Sequence, residues 1–97
     1  MNKDKLTEFG AMVEFFMLER ATTQSTLARR IHMSQSAISL MMYGKRRPSS
    51  QIVELMIDEL KVPVEQQPEF LLLASGHSKK FVDQVLTRVG IKGQREV

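Results

Sequence analysis

The sequence predicts an all-α fold: five helices forming one small domain, followed by an additional helix at the C-terminal end. Three observations carry that expectation. Apolar residues recur at helical spacing in successive stretches, bounded by residues suited to start or stop a helix. No period-two run bounded by hairpin turns occurs anywhere. At 97 residues the chain has room for one core and an arm. The expected division is a main unit over residues 1–76 and a C-terminal helix with a tail over 77–97.

The first helix is expected over residues 4–20, where Leu6, Phe9, Val13 and Phe16 form a core-facing stripe with Met12 and Met17 beside it. Phe15 and Leu18 widen its apolar surface toward a possible partner. Thr22 or Thr23 can cap a second helix, 24–31, that buries Leu27, Ala28 and Ile31. Ser34 caps a third, 35–43, burying Ala37, Ile38 and Met41, and Gly44 supplies a left-handed stop. After Pro48, Ser49 or Ser50 caps a fourth helix, 51–60, whose core face is Ile52, Val53, Met56, Ile57 and Leu60; Pro63 closes it. Pro68 suits the start of a fifth, 69–75, and Gly76 its end. Ser78 caps a sixth, 79–89, and the tail 91–97 is expected to fray.

Composition excludes several classes of function. No apolar stretch approaches the roughly 18 residues of a membrane span, and the N-terminal residues mix acids with cations instead of forming a secretory signal. The absence of cysteine removes disulfide and thiolate chemistry and fits a cytoplasmic protein. Two distant histidines form no metal constellation; His32 reads as a turn residue and His77 as a loop residue. No nucleophile–base pair, phosphate-cradling glycine loop or carboxylate cluster stands out, so neither catalysis nor a cofactor is expected.

Charge is segregated along the chain. Residues 1–22 carry net −1, residues 23–50 carry +5 with no acid, residues 51–78 carry −4 and residues 79–97 carry +3. Such a distribution gives the molecule a positive and a negative face and orients it toward a polyanion.

Residues 23–49, TQSTLARRIHMSQSAISLMMYGKRRPS, read as two short helices joined by a tight turn and followed by three consecutive cations. Ala28 is small where the helices would cross, and Leu27, Ile31, Ile38 and Met41 would fix their angle. This pattern is expected of a helix-turn-helix whose second helix enters the major groove of DNA. Gln35 and Ser36 would then meet base edges, with Ser39 and Leu40 one turn on. Gln suits adenine and an apolar group suits a thymine methyl. Ser34, Lys45, Arg46 and Arg47 would hold phosphates, and Tyr43 suits either the DNA backbone or packing on the first helix. The unpaired amides beside Gln24 also suit a phosphate.

The runs Gln24-x-x-Leu27-Ala28, Ser34-Gln35-Ser36-x-Ile38-Ser39 and Gly44-Lys45-Arg46-x-Pro48 resemble the Xre family of regulators, relatives of lambda repressor and Cro. The resemblance spans about residues 6–75. It implies a five-helix DNA-binding domain, with Gln24 as a phosphate contact and Gln35, Ser36, Ser39 and Leu40 as base-reading positions. The chain departs from the family pattern in three places. His32 stands where glycine is usual. Met17 and Met42 stand where relatives often pair a buried Arg with a Glu, which predicts an apolar contact between them. The sixth helix lies beyond the minimal domain.

That helix carries Phe81, Val82, Val85, Leu86 and Val89 on one side. The stripe either completes its own monomer or, as the favoured expectation, forms a dimer interface. A two-fold dimer would set two reading helices about 34 Å apart on a palindromic operator. The leading functional expectation is therefore a dimeric repressor acting by operator occupancy. The alternatives are an antitoxin, which would bind a toxin through the first helix or C-terminal arm and autoregulate its promoter, and a protein adaptor that has lost DNA binding.

Overall fold

The structure is a computed structural model and describes residues 5–89. The order of elements is α1 (Glu8–Glu19), α2 (Gln24–Arg30), α3 (Gln35–Met42), α4 (Ser50–Leu60), a 3-10 turn (Val64–Gln66), α5 (Gln67–Ala74) and α6 (Lys79–Arg88). Among the described residues there is no strand. Asp4, expected at the start of the first helix, and the tail 91–97 lie outside the described residues.

Five helix starts are closed by a hydroxyl. The side chains of Thr7, Thr23, Ser34, Ser49 and Ser78 accept from the backbone N–H of Gly10, Thr26, Ala37, Ile52 and Phe81. Each such cap contributes about 1 kcal/mol by satisfying an otherwise orphaned donor. Thr7 was not foreseen, and its extended backbone is why α1 begins at Glu8 instead of residue 4.

Helix ends repeat one device. Ala21, His32, Gly44, Lys61 and Gly76 all take positive φ, and the next residue's N–H returns to a carbonyl five residues back. This left-handed stop satisfies carbonyls that the helix leaves open. His32, at φ +61, occupies the turn between α2 and α3.

The core gathers α1, α2, α3, α4, α5 and α6 around Phe70. That ring lies fully buried, edge-on to Phe9 at 5.1 Å and to Phe16 at 6.4 Å. Leu27, Ala28, Ile31, Ile38, Met41, Val53, Met56 and Leu60 pack in the same cluster, while Ile52 and Ile57 sit at its edge. Met17 and Met42 are both buried there, and no described polar or charged side chain is. The interior thus carries no ion that would need desolvation.

The sixth helix corrects one expectation. Val82 and Leu86 are 0% and 3% exposed and belong to the chain's own core, so they are not offered to a partner. Phe81 and Val89, at 44% and 62%, face outward, with Val85 half-buried between them. The apolar arc of α6 is wider than the face it buries, which a single stripe in the sequence concealed. Lys79 fastens the helix to α5 through Glu69 at 3.2 Å and pairs within α6 with Asp83 at 3.5 Å.

Candidate nucleic-acid interface

α3 buries Ala37, Ile38, Met41 and Met42 and turns the opposite arc outward. Gln35, Ser36 and Leu40 are exposed on that arc, Ser39 and Tyr43 are half-buried, and the capping Ser34 is exposed at its start. The expected base-reading residues therefore share one outward surface. Gln24 stands half-buried in the first turn of α2, and Lys45, Arg46 and Arg47 follow α3 in an exposed loop.

The height and tilt of α3 are set from α1. The carbonyl of Met42, left open at the end of α3, accepts from both the N–H and the Oγ1 hydroxyl of Thr7, each at 3.0 Å. The same hydroxyl oxygen accepts from Gly10 N–H at 2.9 Å. Gly10 has to be glycine for this contact: a Cβ there would fall 2.1 Å from the Met42 carbonyl oxygen, against backbone that has no rotamer to yield. Thr7 and Gly10 are positioning residues that the sequence did not disclose, because their partner lies more than thirty positions away.

The cations on and around the two helices are held in different places. Arg20 donates from Nε to the Leu60 carbonyl and from Nη2 to that of Lys61, both at 2.8 Å, so it closes the end of α4. A guanidinium at a helix C-terminus also meets the negative end of the helix dipole. Arg30 lies 3.4 Å from Glu59, again on the α4 side. Neither joins the outward surface of α3. Lys45, Arg46 and Arg47 instead border a cleft of about 590 Å³ with the first turn of α1 and the turn between α5 and α6. Arg47 rests on that turn, where a Cβ on Gly76 would come within 2.6 Å of its Nη2.

A family model described as helix-turn-helix matches residues 16–67, which contain α2, the turn and α3. The chain belongs to the Xre, lambda-repressor-like helix-turn-helix family. Neither curated proteins nor solved structures gave a match. An Xre-family domain is a DNA-binding regulatory module, not typically an enzyme, and the all-helical architecture agrees with it plus one further helix. Among the described residues no group of His, Cys, Asp or Glu is placed to hold a metal ion, and no helix is long and apolar enough to cross a membrane.

Proposed function

We propose that this Xre-family chain is a sequence-specific, dimeric repressor that acts by occupying a palindromic operator. The observation that carries the reading is the outward arc of α3, Gln35, Ser36, Ser39 and Leu40, presented beside the cationic loop of Lys45, Arg46 and Arg47. In the docking geometry of this fold, the arc reads base edges while Gln24, Ser34, Tyr43 and the loop hold phosphates. The dimer forms through Phe81 and Val85 of α6 and Val89 at its end, apolar side chains that the monomer's core does not fully bury. Catalysis and cofactors have no part in it, and its place of action is the cytoplasm, on the nucleoid.

Binding to fragments of the source genome, followed by fluorescence anisotropy across a salt series, tests the reading. Affinity should fall steeply, since each neutralised phosphate adds about −0.9 to the slope of log K against log salt. An absence of binding at low salt would instead favour the protein adaptor.

A second reading, an antitoxin that also binds its own promoter, draws on α1. Phe15 and Leu18 stand exposed there, Leu18 at 72%, and offer an apolar surface to a second protein. Co-purification of a small partner chain from the native host would distinguish it.

A further inference from the structure

Two outward helix faces of this chain complement each other in charge and relief. The first is on α1. At helical spacing Ala11, Phe15 and Leu18 form one exposed row, with the exposed acids Glu14 and Glu19 on either side of it. From Glu8 to Glu19 the helix contains no cation.

The second face is on α6. Phe81, Val85 and Val89 make one row at i+4 spacing, and Lys80, Gln84 and Arg88 make the row beside it. Between the rows lies a largely apolar hollow of about 140 Å³, bordered by Phe81, Gln84, Val85, Arg88 and Val89. The one acid of this helix, Asp83, pairs with Lys79. Among the described residues, Glu14, Glu19, Lys80 and Arg88 make no ion pair.

Neither face suits its own copy. A contact of α6 with α6 gathers Lys80 and Arg88 of both chains on one interface, and α1 with α1 does the same with Glu14 and Glu19. Like charges so placed work against association. A contact of α1 with α6 sets acids against cations instead. It also gives the hollow of α6 a side chain to receive, because Leu18 stands far out from its helix. Side chains of one helix seated between the ridges of another are the ordinary geometry of helix packing.

We infer that α6 of one copy docks on α1 of a second copy, with Leu18 seated between the two rows of α6 and Glu14 and Glu19 facing Lys80 and Arg88. In a two-fold dimer this contact is made twice, since each copy offers one face and receives on the other. The pairing rests on the dimer reading above and adds the surface of the second copy that receives α6.

The chain contains no cysteine, so introduced thiols report contacts without background. Leu18→Cys and Gln84→Cys alter exposed positions and should keep the helical circular dichroism of the parent. Oxidised together, the two variants should give a covalent dimer; oxidised separately, neither should. A self-linked Gln84→Cys dimer, or no link in the mixture while the parent sediments as a dimer, would overturn the pairing and leave the dimer reading in place. Charge reversal gives a second readout. Glu14→Lys/Glu19→Lys and Lys80→Glu/Arg88→Glu should each weaken dimerisation about ten-fold. Mixing the two should restore it, because every contact then meets opposite charges again. Parent-like dimerisation of Glu14→Lys/Glu19→Lys alone would contradict the pairing. A parent that sediments as a monomer would overturn the dimer reading and this pairing together, and leave both faces to a different protein.

Discussion

The oxygen of Met42 is where α1 and α3 meet, with Thr7 donating to it twice and Gly10 leaving it room. Gly10→Ala should gain about 1 kcal/mol of helix propensity but lose more through overpacking, for a net loss of about 1–2 kcal/mol in urea unfolding. An unchanged midpoint would mean that the two helices can separate freely. His32 is a second residue whose backbone decides its identity. At φ +61 it bears the left-handed strain of an L-residue, about 1–2 kcal/mol, against the extra entropy that glycine loses on folding. His32→Gly should therefore stabilise by about 0.5–1 kcal/mol, and a lowered melting temperature would contradict it. His32 was legible through the family resemblance, which puts it at a turn position where glycine is usual. Thr7 and Gly10 were not, because contact between distant segments leaves no periodic trace.

Among the helices, α6 divides its work. Leu86→Ala should open a cavity and cost about 2–4 kcal/mol, whereas Phe81→Glu should leave stability nearly unchanged and shift the sedimentation profile toward monomer. Reversal of those two effects would place the partner on the other face of the helix. Lys79 supplies the polar part of the docking on α5. Its hydrogen bond to Glu69 holds its pKa above the ordinary value of 10.5, with the nearby carboxylate charges of Glu69 and Asp83 adding to it against partial desolvation. A raised lysine pKa contributes stability fully below the ordinary value, and the contribution is lost as pH rises through the raised one. Glu69→Gln should bring the Lys79 titration, followed by NMR of its side chain, back toward the ordinary range. All six helices were legible from caps, stops and spacing. The burial of Phe70 was not, because in the run Phe70, Leu71, Leu72, Leu73 every position is apolar and no face stands out. The 3-10 turn, Val64–Gln66, was also missed, and α5 starts at Gln67 with Pro68 tolerated in its first turn, where the missing N–H has no helical partner.

Over the whole molecule, charge sorts by what each element has to close. Arg20 and Arg30 turn to the end of α4 and to Glu59, while Lys45, Arg46 and Arg47 lie in the loop that follows α3. The acid-free run was visible in the sequence, but which of its cations would face a polyanion depended on side-chain directions that only packing sets. The central claim is a division between reading and holding: the α3 arc discriminates among sequences, and the loop grips any DNA. The most direct measurement compares affinities for a selected duplex and a scrambled one in the parent, in Gln35→Ala/Ser36→Ala and in Arg46→Ala. The double variant should lose the preference for the selected duplex while binding the scrambled one as before. Arg46→Ala should weaken both about equally and reduce the salt slope by about one. A preference that survives in the double variant, or that vanishes in Arg46→Ala, would contradict the claim.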